Sequence, residues 1–277
     1  MTDGKTWAEY RELEGMNWSS LKEMIVPLMF LWRQAHPRPD TKAFALGRMI
    51  HSAVLEPEVF ASDYYVPETK TCIAPTKAGP QCKRQSVLGS TCCKQHGGTE
   101  DEDERTAMSQ ATSDVVDRCA DSIRDNPHAM ELLADTDREQ TLQWTMDGIA
   151  CKSRLDMAKP SSVTDIKTTA DMAWFGRDAA KFMYHGQLAF YRDGYVEASG
   201  GDIDPDAFII AVETVAPFDC AVFQLEPDVL NAGRILYQRL LDSYVACVEM
   251  GKWPGRHTGV VPLDLPPWAP GMEVFQL

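Results

Sequence analysis

The fold is decided by residues 141–169, which read TLQWTMDGIACKSRLDMAKPSSVTDIKTT. Asp147-Gly148 is a strong signal for a two-residue hairpin turn, and it predicts strands over 141–146 and 149–157. A third strand is expected over 162–168. Helical patterns precede and follow these strands. The expected fold is therefore α/β or α+β, with a small mixed central β-sheet flanked by helices.

Apolar residues at helical spacing and turn residues predict the remaining elements. Pro27 suits the first turn of a helix and not its interior, so it should divide the N-terminal helical region into two short helices. Further helices are expected over 41–55, 106–124, 128–134, 182–198 and 227–250, and further strands over 208–215 and 221–225.

Composition is that of an ordinary soluble protein. The 277 residues are 44% hydrophobic and 25% charged, which excludes a disordered chain, a collagen-like repeat and a coiled coil. The net charge of -14 argues against loose binding to polyanions, although it leaves room for a local basic groove. No apolar run approaches the ~20 residues of a membrane span. The first residues do not resemble a secretory signal, so a cytoplasmic location is expected.

Two neighbouring strands carry the residues that suggest chemistry. Strand side chains alternate between faces, so Asp165 shares a face with Lys167. Because adjacent strands lie about 4.8 Å apart, Asp156 can approach Asp165. Two close carboxylates repel unless a cation neutralises them, and oxygen ligands suit Mg²⁺ or Mn²⁺. Lys167 can then orient or deprotonate a water, or stabilise charge on a phosphate.

Each candidate residue also has a purely structural interpretation. Asp165-Ile166-Lys167 fits an ordinary strand edge with a salt bridge. Gln187 and Tyr191 stand at i and i+4 of one helix, where they contact phosphate or a base, or form a half-buried amphipathic pair. His51 lies at the edge of an apolar helical stripe, as a core residue or as part of a metal site.

Two of these motifs resemble those of a nuclease superfamily. Residues 154–156 (RLD) followed by 165–169 (DIKTT) resemble the central motif of the PD-(D/E)xK nucleases. Gln187-x-x-x-Tyr191 resembles the Q-x-x-x-Y motif of the RecB-like branch of that superfamily. The resemblance implies the PD-(D/E)xK core fold.

Further segments are similar to RecE-type exonuclease VIII proteins of phages and prophages. Residues 47–57 (GRMIHSAVLEP) resemble their histidine segment, and residues 17–21 (NWSSL) resemble their opening helix. Glu139 and residues 144–152 follow the same pattern. The likeness extends from about Trp18 to Tyr195 and is interrupted once, by a cysteine-rich stretch.

The resemblance implies a role for each matching residue. The implied ligands of Mg²⁺ or Mn²⁺ are His51, Asp156, Asp165 and the Ile166 carbonyl. Lys167 is the implied catalytic lysine, and Gln187 and Tyr191 would position the DNA. Glu139 is a weaker candidate with a structural role as the alternative.

The resemblance also implies an activity and partners. The family digests one strand of linear duplex DNA from its end and leaves single strand for a single-strand annealing recombinase. The expected polarity is 5′ to 3′. The implied partners are double-stranded DNA ends and that recombinase, with no membrane contact. The implied assembly is a homo-oligomeric ring around DNA. The expected location is a bacterial cytoplasm, with the protein encoded by a phage or prophage.

The interruption is a cluster of cysteines. In a reducing compartment, four cysteines within 22 residues indicate a metal site before disulfides. Cys72, Cys82, Cys93 and His96 would give Zn²⁺ a closed Cys3His site, with Cys92 as the alternative third ligand. A flexible loop with reactive thiols leaves the four cysteines unexplained. Some relatives hold an iron–sulfur cluster, but their cysteines flank the core at both ends.

The cluster lies in an expected inserted module over 68–105, within a single nuclease domain over 1–277. The module ends in an acidic linker at 100–104, and before it stand five basic residues with no acid: Lys70, Lys77, Lys83, Arg84 and Lys94. This charge suggests that the module contacts DNA or a partner protein.

The expected function is thus a Mg²⁺- or Mn²⁺-dependent DNA exonuclease with a zinc-stabilised insert. One alternative is an endonuclease of the defence or restriction type on the same core. Another is a catalytically inactive DNA-binding or regulatory protein on a nuclease scaffold. The intact set of Asp156, Asp165 and Lys167 argues against the inactive scaffold.

Overall fold

A computed structural model of the protein describes residues 5–67, 71–87, 90–98 and 105–270. Within these residues the strands are β1 (Tyr64–Tyr65), β2 (Thr106–Ala107), β3 (Asp137–Met146), β4 (Ile149–Lys159), β5 (Ser162–Thr169), β6 (Asp206–Glu213) and β7 (Cys220–Gln224). The α-helices are α1 (Trp7–Glu12), α2 (Trp18–Leu21), α3 (Pro27–Ala35), α4 (Lys42–Leu55), α5 (Pro57–Asp63), α6 (Gln110–Asp125), α7 (Pro127–Leu133), α8 (Phe175–Lys181), α9 (Tyr184–Ala198) and α10 (Pro227–Met250).

The central sheet is mixed, as the sequence predicts. Its five strands follow the order β3-β4-β5-β6-β7, and every neighbouring pair is antiparallel except β5 and β6. The parallel pair is joined by a crossover that contains α9, which is the connection that parallel strands require. A separate two-stranded sheet pairs β1 with β2 in parallel.

Helices cover both faces of the central sheet. On one face α4, α6 and α7 share a core cluster with the sheet, in which Ile50, Ile123, Ile166 and Ile210 have no solvent exposure. On the other face lies α9, whose Phe190 ring packs on a ring of β3, Trp144, with centroids 4.9 Å apart. This arrangement confirms a mixed α+β fold with a central sheet flanked by helices.

The chain divides into two compact units. One comprises Met1–Asn17 and Pro39–Leu236, and it contains the central sheet and every residue discussed below as a ligand or catalytic candidate. The other comprises Trp18–Arg38 and Tyr237–Leu277. In this second unit the Phe30 and Trp253 rings stack with centroids 5.4 Å apart. The expectation of one nuclease domain over 1–277 stays a prediction.

Several element boundaries differ from the expected ones; β3, for example, begins at Asp137 rather than at residue 141, and β6 covers Asp206–Glu213 rather than 208–215. The helix predicted from residue 106 begins at Gln110, because Thr106 and Ala107 pair with β1 and the Ser109 hydroxyl caps the helix by accepting from the Thr112 N–H. The helix predicted from residue 182 begins at Tyr184 after the left-handed Met183. The acidic linker predicted at 100–104 lies outside the described residues. In the part of the chain that the structure describes, none of the helices is long and apolar enough to cross a bilayer.

Two glycines give a matched test of the packing around α9. A Cβ built on Gly233 of α10 would lie 2.2 Å from the His185 carbonyl oxygen, whereas one built on Gly176 of α8 meets nothing within 4 Å. We expect Gly233→Ala to lower the free energy of unfolding by about 1–3 kcal/mol, since backbone must move to admit the methyl group. Gly176→Ala should leave stability unchanged or raise it slightly. Urea denaturation compares them, and equal stabilities would contradict the close approach.

Candidate active site

The candidate site lies where two strands of the central sheet separate. The β4–β5 pairing ends at Met157 opposite Thr164, one step before Asp156 and Asp165 would face each other. Beyond that point the Ile166 N–H donates to Asp156 Oδ2 at 2.8 Å, in place of a strand partner. The Asp156 carboxylate therefore occupies the gap between β4 and β5.

His51 reaches the same gap from α4. Its neighbour Ile50 shares the core cluster with Ile166, which packs α4 against β5. His51 Nε2 lies 2.8 Å from the Ile166 carbonyl oxygen, and His51 Nδ1 lies 3.3 Å from Asp156 Oδ2. Because a carbonyl only accepts, the hydrogen belongs on Nε2, and Nδ1 presents its lone pair to the carboxylate.

Glu139 on β3 completes a group of three potential ligands. One ligand atom from each of His51, Glu139 and Asp156 lies within 4.8 Å of the others. Glu139 has a φ of 51°, and the pairing of β3 with β4 skips it opposite Asp156. A non-glycine residue in this region costs about 1–3 kcal/mol, and such strain clusters at functional sites. The Arg154 guanidinium donates to the Glu139 carboxylate through Nε.

Asp165 holds the candidate catalytic lysine. One oxygen of Asp165 pairs with the Lys167 ammonium, and the other accepts from Gln187 Nε2 at 3.1 Å. The Lys167 nitrogen also lies 4.9 Å from the centroid of the Tyr184 ring. With 2% of its surface exposed, Asp165 is buried among these partners. Its carboxylate thus positions Lys167 beside the group of three ligands.

Burial and mutual repulsion alter the protonation of the site. Burial, with the charge of Asp165, raises the pKa of Asp156 to about 8. Burial, with the charge of Asp156, raises the pKa of Glu139 to about 7, although Arg154 opposes the shift. Burial lowers the pKa of His51, so its imidazole is neutral at neutral pH. For Lys167 burial acts downward, but the Asp165 and Asp156 charges outweigh it and raise the pKa.

These residues fit a divalent cation. A neutral imidazole nitrogen and two carboxylates converge, and burial together with repulsion between carboxylates raises the pKa of both acids. His51 Nδ1 and Asp156 Oδ2 face each other as two acceptors, a conflict that a shared proton or a cation removes. Oxygen-rich donor sets of this kind suit Mg²⁺ and Mn²⁺.

The structure distributes the predicted residues over two adjoining groups. His51 and Asp156 lie in the three-ligand group, whereas Asp165 pairs with Lys167. The Ile166 carbonyl accepts from His51 Nε2, the ring nitrogen that does not face Asp156. Gln187 bonds to Asp165 and to the Tyr191 hydroxyl, so both predicted DNA-positioning residues line the site.

The sequence interpretation missed one residue and underrated another. Tyr184, whose ring lies against Lys167, stands three residues before Gln187 and therefore on the same helical face. That spacing is the signal that would have found it. Glu139 was the weaker candidate, yet the structure places it in the ligand group. Its left-handed backbone has no signature in the sequence.

A second ligand group lies in the cysteine module. One ligand atom from each of Cys72, Cys82, Cys93 and His96 lies within 4.8 Å of the others. His96 Nδ1 is 3.3 Å from the Cys72 sulfur and 3.4 Å from the Cys93 sulfur. Cys92 is not in this group, so between the two candidates for the third ligand the structure favours Cys93.

Tight backbone turns present the sulfurs of this group. The Cys72 N–H donates to the Arg84 carbonyl at 2.9 Å, and the Cys82 N–H donates to the Ala74 carbonyl at 2.9 Å, which closes a small hairpin. Burial acts to raise the pKa of Cys72, but N–H donors from Cys93 and Ala74 bring it down to about 6. Thiolates are the form that binds zinc, and the four ligand types match a structural zinc site.

Comparisons with known proteins agree with this description. A family model described as a PDDEXK-like domain of unknown function (DUF3799) matches residues 27–261. The fold is similar to a crystal structure from Eubacterium rectale named "Putative exonuclease", with 14% sequence identity, a TM-score of 0.62 and 96% of each chain covered. No curated protein matches the chain. The family match confirms the PD-(D/E)xK prediction and, with the shared fold, supports a nuclease, while the RecE-type resemblance stays a prediction.

The raised pKa values predict how stability depends on pH without divalent cations. Folding strengthens proton binding at Asp156 and Glu139, and this stabilisation is lost as pH rises through their folded pKa values of about 8 and about 7. We therefore expect Tm to fall between about pH 5 and about pH 8. Mn²⁺ should raise Tm most at the higher pH. At about 100 times its Kd, the bound ion should add about 2.7 kcal/mol to the free energy of unfolding. Scanning fluorimetry measures both effects.

A pair of glutamate variants controls for general effects of charge. Glu139→Gln removes one titrating carboxyl, so it should flatten the pH dependence and weaken the stabilisation by Mn²⁺. Glu131→Gln makes the same change at an exposed position of α7 and should behave as the wild type. Equal stabilisation of both variants by Mn²⁺ would exclude Glu139 as a ligand.

Proposed function

The chain belongs to the family of PDDEXK-like domains whose model matches most of its length, and from this we propose that it is a metal-dependent deoxyribonuclease that digests one strand of linear duplex DNA from its end. The observation that carries the proposal is the buried Asp165–Lys167 pair next to the group of His51, Glu139 and Asp156. A lysine ammonium beside a set of cation ligands is suited to phosphodiester hydrolysis.

In this proposal Lys167 acts as a cation. The charge of Asp165 keeps it protonated, and Asp165 and the Tyr184 ring fix its position. Its N–H groups can donate to a phosphate oxygen and stabilise the negative charge that develops during cleavage. Gln187 fixes the orientation of Asp165, so its contribution to catalysis is to position that carboxylate.

His51, Glu139 and Asp156 would hold Mg²⁺ or Mn²⁺. When bound, the ion supplies Lewis acidity and lowers the pKa of a coordinated water. Neutral His51 offers its Nδ1 lone pair, and the two carboxylates release their protons when they bind the cation. Asp165 is proposed as a ligand only through the RecE-type resemblance, since its oxygens contact Lys167 and Gln187.

The finer features of the activity rest on the RecE-type resemblance of residues 47–57 and 187–191. From it we propose 5′-to-3′ digestion, delivery of single strand to an annealing recombinase, and a ring of subunits around DNA. A cytoplasmic location in a bacterial host, with a phage or prophage gene, belongs to the same proposal. An endonuclease on the same core is the alternative, and the form of the DNA that is cut distinguishes the two.

The activity itself is tested with linear and covalently closed circular duplex DNA in Mg²⁺. We expect the wild type to digest the linear form and to spare the circle. Asp165→Ala and Lys167→Ala should each lower the rate by about 10²–10³-fold, because the first removes the carboxylate that positions Lys167 and the second removes the ammonium that stabilises charge on the phosphate. Both variants should keep the wild-type circular dichroism spectrum.

Asp206→Ala is the matched control for these variants. It removes an exposed aspartate from the neighbouring strand β6, so its activity should equal that of the wild type. Full activity in both Asp165→Ala and Lys167→Ala would refute the site. Efficient cutting of the closed circle would favour the endonuclease.

We also propose that the cysteine module binds one Zn²⁺ through Cys72, Cys82, Cys93 and His96. The distances among their ligand atoms suit a single tetrahedral ion. Apart from the cysteines, the apolar contacts described in the module's core cluster come from Ala74 alone. A metal would therefore supply the ordering free energy that apolar burial does not.

Elemental analysis tests the zinc proposal. The purified protein should contain about one zinc per chain, since four protein ligands fill one tetrahedral shell. Cys82→Ser should lose that zinc, whereas Cys92→Ser should keep it because Cys92 lies outside the ligand group. Iron in place of zinc, or equal zinc in both variants, would contradict the assignment.

A further inference from the structure

A cleft of about 780 Å³ runs between the cysteine module and the small β1–β2 sheet. One wall comes from the cysteine-rich part of the module, with Arg84 and Lys94, and the other from β1 and the end of the module just before β2, with Tyr65 and Arg105. Among the described residues that line it, three are cations and none is acidic. The described lining of the cleft is therefore positively charged, although the whole chain has a net charge of -14.

The chemistry of the lining favours an extended anion. Arg84, Lys94 and Arg105 are exposed, so their charges lie at the mouth of the cleft and not in an enclosed pocket. The Arg105 guanidinium carbon stands 4.6 Å from the centroid of the Tyr65 ring, which holds this charge against β1. Spaced, exposed cations around an open cleft match successive phosphates along a strand better than one small ligand.

Two of these basic residues, Arg84 and Lys94, are connected to the Cys3His group of the module. The Arg84 carbonyl accepts from the Cys72 N–H, and the Arg84 N–H donates to the Cys82 sulfur. Lys94 begins the short turn that links Cys93 to His96. The positions of Arg84 and Lys94 therefore depend on the order that a metal would impose on the Cys3His group.

We propose that this cleft binds the phosphodiester backbone of the DNA, as a second contact site organised by the metal of the cysteine module. The inference rests on the proposed function for its choice of ligand, and it assigns the module a task in that function: substrate binding without chemistry. The residues of the candidate active site are not among those that line the cleft.

The test compares two double variants of equal charge. Arg84→Ala/Lys94→Ala removes cations from the cleft, whereas Lys77→Ala/Lys83→Ala removes two exposed cations of the same module outside it. Binding of fluorescent DNA is measured by anisotropy without divalent cations, between about 50 and about 300 mM KCl. The cleft variant should bind on the order of tenfold more weakly, with a log–log salt slope shallower by about 1.4 for single strand or about 1.8 for duplex. The control variant should match the wild type.

Three further measurements test the dependence on the Cys3His group, the separation from the active site, and the preference for a strand over a small anion. Cys82→Ser should reproduce the weaker binding of the cleft variant, and Cys92→Ser should not. Hydrolysis of a small chromogenic phosphodiester should be equal in the wild type and the cleft variant, because such a substrate is too small to reach a second site. A free mononucleotide should not compete with the strand at equal phosphate concentration.

The outcomes distinguish this inference from the proposed function. If the cleft variant and the control bind DNA equally, or if the wild type binds none, the inference is overturned even where cleavage is observed. A mononucleotide that competes as well as the strand would also overturn it, in favour of a small anion. If the wild type binds through the cleft but cleaves nothing, the inference stands and the nuclease proposal fails.

Discussion

The separation of β4 from β5 is the constraint on which the site depends. Had the two strands stayed paired, Asp156 and Asp165 would project from a continuous sheet, and the helix α4 on one face could not reach groups on the other. In the gap, the Asp156 carboxylate accepts a hydrogen bond from the Ile166 N–H and contacts His51 of α4. Lys167, held from the α9 face, adjoins the same gap. The early end of the β4–β5 pairing thus lets residues from the helices on both faces of the sheet meet at the candidate site.

The burial of several ionisable groups makes the site suited to a cation. The raised pKa values of Asp156 and Glu139 mean that the charged forms of these acids lose more free energy by burial than their hydrogen-bond partners return. The Arg154 contact does not offset this for Glu139. In the proposed function a divalent ion would supply positive charge at the site, and the same burial that favours its binding would lower stability in its absence.

Much of the fold was predictable because its signals are local. The Asp147-Gly148 turn fixes the β3–β4 hairpin, and alternation along β5 places Asp165 and Lys167 on one face. The ligand group was predictable only in part, because it depends on the strained backbone of Glu139, which tertiary contacts impose. The choice of Cys93 over its neighbour Cys92 likewise required the turn geometry of the module.

The parallel pairing of β1 with β2 has a consequence for how this protein can change. Tyr64 and Tyr65 pair with Thr106 and Ala107, so the chain leaves the core and returns to it at two adjacent strands. Since the ends are already held together, the entropy cost of the intervening chain grows only with the logarithm of its length. Evolution can therefore enlarge, exchange or delete the segment between β1 and β2 with little strain on the central sheet. The β1–β2 pair is also a suitable position at which to insert a different binding module.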